Sequence, residues 1–221
     1  MRTALILGAS RGLGLELVRQ YRGDGWRVIA TARDTAGLAR LAALDAEPLT
    51  LDVANPESVP GFEWHIEGEK LDVAFYVAGL IDHGNAKSPP TQAVFDEVMR
   101  TNVWGAMQLI PSVAPGVERA RGRFAFVSSL MGSIAATDSS DDLLYRASKA
   151  ALNMVVRGAQ QDYPAAIMVA ISPGWVRTDM GGVSAPLSVQ ESVRGMREVV
   201  ARADAGSRGA FLRYDGSTIQ W

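Results

Sequence analysis

Cysteine is absent from all 221 residues, which excludes disulfides, thiolate nucleophiles and cysteine-ligated zinc. Histidine is nearly as scarce. Only His65 and His83 occur, neither has a carboxylate at ligand spacing, and no metal is expected. Asp138, Asp141 and Asp142 resemble a metal cluster superficially, but they fall in a polar stretch without a regular coordination frame and read as a solvated loop. Charge of one sign is also missing. Twenty-two basic residues stand against 24 acidic ones, and their scatter gives no electrostatic footprint for nucleic acid. No apolar run approaches the roughly 20 residues that cross a bilayer. There is no linker, repeat or low-complexity tract. The N-terminus enters an apolar strand at once, unlike a signal peptide, so a cytoplasmic protein is expected. What is present is an apolar content of 48%, enough for one well-buried domain spanning residues 1–221.

Short apolar runs alternate with longer amphipathic ones. Ala4–Leu7, Val28–Ala30, Val73–Val77, Phe124–Val127 and Ile167–Ile171 read as strands buried on both faces, with Pro48–Leu51 and Ala210–Tyr214 as further strands. Leu13, Leu17, Val18 and Tyr21 recur at helical spacing, as do the apolar residues of Phe95–Ile110 and Leu143–Val156. Ser188 and Glu191 form a capping box that opens a helix towards Arg202. The expected fold is α/β: a doubly wound, Rossmann-type parallel sheet of about seven strands with helices on both faces. Ligands of such sheets sit beyond the carboxyl ends of the strands, where the glycine, serine and tyrosine motifs of this chain fall.

The turn Gly8-Ala9-Ser10-Arg11-Gly12-Leu13-Gly14 leaves the first strand and opens the first helix. Glycines there let backbone N–H groups approach a pyrophosphate, so Gly8, Ser10, Arg11, Gly12, Leu13 and Gly14 read as a phosphate cradle. An acidic residue ending the second strand would hold the ribose 2′-hydroxyl of NAD. The chain has Thr31-Ala32-Arg33 instead. Arg33 and Arg11 are placed to hold a 2′-phosphate, which predicts NADP(H). Asp52 comes after the third strand, where it either meets the adenine or caps a turn.

Tyr145 and Lys149 lie four residues apart, on one face of a helix. A free phenol titrates near about 10, and a neighbouring cation can lower that by roughly 1–3 units. The pair is therefore a candidate tuned acid/base.

With Leu51-Asp52-Val53, Asn102, Ser128-Ser129 and Pro173-Gly174, these motifs resemble the short-chain dehydrogenases/reductases in order and over essentially the whole chain. The tail from Phe211-Leu212-Arg213-Tyr214-Asp215-Gly216 to Trp221, with Thr178-Asp179-Met180, is most similar to the C-factor-like and sniffer-like branch. The resemblance implies reduction of a carbonyl or oxidation of a secondary alcohol. Tyr145 would be the general acid or base, Lys149 would lower its pKa and hold the nicotinamide ribose, and Ser129 would bond the substrate oxygen. Asn102 would anchor a water relaying protons through Lys149, and Pro173, Gly174, Val176 and Thr178 would line the nicotinamide pocket. Asp52, Val53, Ala78 and Gly79 complete the implied cofactor contacts. Ser129 is preferred to Ser128 because Leu130-Met131-Gly132 matches the residues next to the family's serine. The family commonly pairs two helices across a subunit interface, so a homodimer is expected.

Two departures stand out. Tyr76-Val77-Ala78-Gly79 replaces the family's Asn-Asn-Ala-Gly, losing two amides, and the interval from Ser129 to Tyr145 is a few residues longer than is usual in the family, with the excess in Thr137–Asp142. His83 lies after the fourth strand within possible reach of a substrate, and Trp175 is the tryptophan best placed to face the pocket. The short interval from Pro173 to Ser188 predicts an open, permissive substrate site. A second class of function competes: a dinucleotide-binding signalling or regulatory protein with incidental catalysis.

Overall fold

The computed structural model describes residues 1–221. Strands β1 (Thr3–Leu7), β2 (Arg27–Ala32), β3 (Glu47–Thr50), β4 (Val73–Tyr76), β5 (Arg123–Val127), β6 (Ile167–Ser172) and β7 (Ala210–Arg213) form one sheet in the order β3-β2-β1-β4-β5-β6-β7. All neighbouring pairs are parallel. The two-residue period of a strand divides its side chains between two cores. Leu5, Leu7, Phe124 and Phe126 face α3 (Val59–Ile66), α5 (Gly105–Ala120) and α6 (Leu143–Ala159), meeting Phe62, Leu109, Val113 and Leu152. Ala4, Ile6, Phe75 and Val169 face α1 (Gly12–Gly23), α2 (Thr35–Ala42) and α7 (Val189–Arg202), meeting Leu17, Leu41, Val193 and Met196. The strands thus carry little polarity on either side, as a sheet covered on both faces requires.

Strand order reverses between β1 and β4, which opens a crevice at their carboxyl ends. Gly8 and Ala78 meet there so closely that a Cβ on Gly8 would lie 2.8 Å from the Ala78 nitrogen. At the far edge β3 is short, exposed and contains Pro48, features that discourage pairing with another chain.

The stretch Phe95–Ile110 is not the single regular helix that its periodicity predicts. α4 (Gln92–Met99) runs into a π-helical turn at Arg100–Trp104, and α5 begins where that turn ends. One extra residue in that turn moves Asn102 inward, where its amide bonds outweigh regular winding. α5 also continues through Pro111 and Pro115. An interior proline costs a helix about 3 kcal/mol, and burial of Leu109, Val113 and Val117 in one core offsets it. The capping box of Ser188 and Glu191 is formed as expected.

Candidate active site

The glycine turn delivers its backbone to the head of α1. Arg11 is the N-cap residue, yet its side chain makes no capping bond. The first N–H groups of α1 therefore keep their capacity for an anion, reinforced by the helix dipole. Gly14 packs on the turn itself, since a Cβ there would lie 2.3 Å from the Gly8 carbonyl oxygen. Ser10 and Leu13 sit half-buried in the turn. An uncapped helix head beside a crevice closed by glycine fits a pyrophosphate.

Arg11 and Arg33 are both exposed, but they are not equivalent. Arg11 is committed to Asp179 at 2.8 Å, which joins the glycine turn to the segment after β6. Arg33 directly follows β2 and precedes the N-cap of α2, where Asp34 accepts from Gly37 N at 2.6 Å. A third cation lies outside every sequence motif. Arg40 lies one α2 turn beyond Gly37 and donates from Nε to the Ser10 carbonyl at 2.9 Å. Its only signal is helical spacing along α2, a helix whose pattern is too weak to identify in the sequence. Asp52 Oδ1 accepts from Ala54 N at 2.9 Å, so it caps a turn with one oxygen. Val53 is buried and its carbonyl accepts from Gln108 Nε2 at 2.6 Å.

α6 carries the chemistry. Tyr145 and Lys149 are 7% and 3% exposed, and the ammonium lies 5.5 Å from the centre of the phenol ring. Lys149 Nζ donates to the Val127 carbonyl at 2.9 Å. Burial pushes the Tyr145 phenol up to about 12, against a hydrogen bond from Ser129 that lowers it, with Asp142 adding a small upward push. The expectation that Lys149 lowers this phenol is not met in the protein alone. Burial also lowers Lys149 itself, to about 8, and its proton points at a carbonyl instead of the phenol. Desolvation outweighs attraction between the two groups.

Ser128 and Ser129 separate cleanly. Ser128 is buried and donates to Asn153 Oδ1 at 2.6 Å. Ser129 is half-buried, accepts from Met131 N at 3.2 Å and is the serine that reaches Tyr145. Asn102 receives Leu80 N on Oδ1 at 2.7 Å and donates from Nδ2 to Leu80 O and Ser148 Oγ, both at 2.8 Å. Both amide hydrogens are then used, leaving the second lone pair of Oδ1 for a water. Gly79 sits between Asn102 Oδ1 and Lys149 Nζ, which lie 3.5 and 3.3 Å from the place its Cβ would take.

The segment after β6 folds back over the crevice. Pro173 O accepts from Ser192 Oγ at 2.7 Å, Val176 is buried, and Thr178 Oγ1 accepts from Gly181 N at 3.1 Å. The Thr178 methyl lies 3.6 Å from the Cβ position of Gly12, so this segment touches the glycine turn. Tyr214, which no sequence pattern marks as a site residue, packs its ring against Gly174. Trp175 is mostly exposed, its indole N–H held by Gly181 O at 2.8 Å. His83 pairs with Asp142 Oδ1 at 2.9 Å, tying the loop after β4 to the head of α6.

Lys149 gives a pH prediction. Its folded value of about 8 lies below its ordinary 10.5, so between these pH values the unfolded chain binds the extra proton. Stability should therefore rise with pH across that window, by up to about 3 kcal/mol. Urea unfolding of the cofactor-free protein from pH 7 to 10 measures this, and Lys149→Met should remove the rise.

A doubly wound sheet with a glycine turn at its reversal point and a buried Tyr-Lys pair on α6 defines a dinucleotide-dependent oxidoreductase class. The pattern described as short chain dehydrogenase matches residues 2–186, and the chain belongs to that family. It is 40% identical over 154 residues to C-signal of Myxococcus xanthus, covering 68% of this chain and 93% of that one. Among solved structures, a short-chain dehydrogenase/reductase from Burkholderia multivorans with bound NADP is 34% identical with a TM-score of 0.89, covering 100% of this chain and 99% of the other. Carbonyl reductase Sniffer of D. melanogaster is 28% identical with a TM-score of 0.90 over the full length of both chains. Family membership makes small molecules the substrates, and no helix is long and apolar enough to cross a membrane.

Proposed function

We propose that this chain is an NADPH-dependent carbonyl reductase working as a single dinucleotide-binding domain, with Tyr145 as general acid. The observation that carries this is the convergence of side chains on α6: the buried Tyr145 phenol lies beside Ser129, with Lys149 on the same helix face and Asn102 bridged to it through Ser148. Like any phenol whose pKa is not lowered, Tyr145 is protonated at neutral pH, and a protonated donor is what carbonyl reduction needs. The NADP-bound Burkholderia relative and the NADPH-bound carbonyl reductase from chicken fatty liver support the choice of cofactor.

The head of α1 and Gly8, Gly12 and Gly14 would hold the pyrophosphate, Arg33 with Arg11 the 2′-phosphate, and Ala78 and Gly79 the backbone wall behind them. Asp52 and Val53 would border the adenine end, and Pro173, Gly174, Val176 and Thr178 would border the nicotinamide end. When bound, the nicotinamide supplies a hydride to the carbonyl carbon. Ser129 and Tyr145 hold the carbonyl oxygen, and Tyr145 Oη gives its proton as negative charge develops there. Lys149 would hold the ribose hydroxyls and, with Asn102, would pass a replacement proton to Tyr145. NADPH absorbance recorded with ketones, aldehydes and quinones tests the proposal. Tight NADPH binding with no carbonyl turned over would reject it and favour a regulatory dinucleotide binder, the reading that the likeness to C-signal supports.

A homodimer belongs to the same proposal, as does a cytoplasmic setting with its supply of NADPH. Phe95 on α4, Trp104 in the π-helical turn and Met107 on α5 stand exposed, with Leu143 and Met154 on α6. Apolar residues so grouped on neighbouring helices favour burial against a second copy. Light scattering at micromolar concentration should return twice the chain mass of 23.6 kDa, and Met107→Lys should halve it.

A further inference from the structure

The two amides missing after β4 direct attention to the side chain that stands in their place. Tyr76 is fully buried at the end of β4. Its ring packs 6.1 Å from that of Phe126, and its hydroxyl donates to the Thr101 carbonyl at 2.5 Å. Thr101 lies inside the π-helical turn Arg100–Trp104, next to Asn102. A π-helical turn departs from the pairing of a regular helix, and the Tyr76 hydroxyl gives its Thr101 carbonyl a side-chain donor from the sheet. The turn closes directly on the phenol: a Cβ on Gly105 would lie 2.6 Å from the Tyr76 oxygen. Burial pushes the Tyr76 phenol far above its ordinary value, so it stays a donor at every physiological pH.

From Asn102 the contacts run on to the acid itself. Asn102 Nδ2 donates to Ser148 Oγ at 2.8 Å, and Ser148 Oγ donates to the Tyr145 carbonyl at 2.7 Å. Asn102 also grips Leu80 through both amide atoms. We propose that Tyr76 is a positioning residue: its hydroxyl fixes the π-helical turn, and through it the Asn102–Ser148 bridge that sets Tyr145 and the lone pair available to a relay water. A single phenol reaching from the sheet thus stands at the first of the two positions that carry amides in the family. The inference rests on the catalytic roles proposed above for Asn102 and Tyr145.

Tyr76→Phe keeps the ring and removes only the donor. Turnover should fall about tenfold, as expected for a small misalignment of reacting groups, while the KM for carbonyl and the Kd for NADPH stay nearly constant. The solvent deuterium isotope effect on kcat should rise, because proton delivery becomes more limiting. In an Asn102→Ala background the same change should have little further effect. Lower thermal stability with unchanged kcat and isotope effect would overturn the proposal, as would independent, multiplying effects of the two substitutions. Should Tyr76→Phe fail to fold, 4-aminophenylalanine at position 76 keeps a weaker donor; intermediate turnover supports the role and unchanged turnover rejects it. Loss of turnover in Asn102→Ala and Tyr145→Phe with a normal Tyr76→Phe would reject this inference alone. Normal turnover in all three would reject the catalytic assignment beneath it.

Discussion

Tyr145→Phe lowers turnover by about 10²–10⁴-fold and leaves NADPH binding nearly unchanged. The size comes from removing a general acid. The selectivity comes from the structure: the Tyr145 ring is buried in α6, so phenylalanine fills the same space, and the loss is confined to one hydroxyl facing Ser129. Removing that hydroxyl also lifts a desolvated polar group out of the interior, so the variant should be at least as stable as the parent. Lys149→Ala differs on both counts. It deletes the group that would hold the ribose, and it leaves the Val127 carbonyl without its donor. Stopped-flow hydride transfer and fluorescence titration with NADPH separate the two variants. Near-normal hydride transfer in Tyr145→Phe would remove the proposed mechanism.

The parts of this molecule that a sequence discloses are those set by local pattern. Both-face burial wrote β1, β4, β5 and β6 as uninterrupted apolar runs, and the glycine spacing after β1 marked the crevice. Ser188 and Glu191 announced α7 through a bond pattern internal to one helical turn. The hidden parts depend on contacts between distant segments. The π-helical turn at Arg100–Trp104 is bonded to Tyr76, Leu80 and Ser148, and no short window of sequence contains all of them. α2 is hard to see because its apolar stripe is only Leu38 and Leu41, and α3 because Pro60 and Gly61 mask the spacing of Val59, Phe62 and Ile66. The state of the Tyr145–Lys149 pair is hidden for the same reason. Spacing places two side chains on one face, while burial decides which of them gives up its ordinary pKa. Ser128 and Ser129 are separable in sequence only by resemblance; in space Asn153 claims the first and leaves the second to the site.

Arg33→Asp reverses the cofactor preference. A 2′-phosphate brings close to two negative charges, and charge-assisted hydrogen bonds to it, discounted for exposed side chains, correspond to a preference of roughly 30- to 150-fold for NADPH over NADH. The arginines should not share that preference equally. Arg11 already pairs with Asp179, and each side chain of that pair is more than two-thirds exposed, so binding trades one partner for another. Arg11→Ala should therefore weaken NADPH only a few-fold and leave NADH unchanged. Arg33 has the larger share, because it stands at the end of β2 where the ribose edge of a dinucleotide lies in this fold. An aspartate there repels the phosphate and offers an acceptor to the free 2′-hydroxyl. Arg40 adds a cation that the sequence did not place: its Nε is held by Ser10 O in the glycine turn, and its outer guanidinium nitrogens make no hydrogen bond within the chain. Arg40→Ala should reduce NADPH affinity without altering NADH. Dissociation constants for both cofactors across the three variants decide the matter. Equal affinity for NADPH and NADH in the unmodified protein would show that these arginines do not read the phosphate at all.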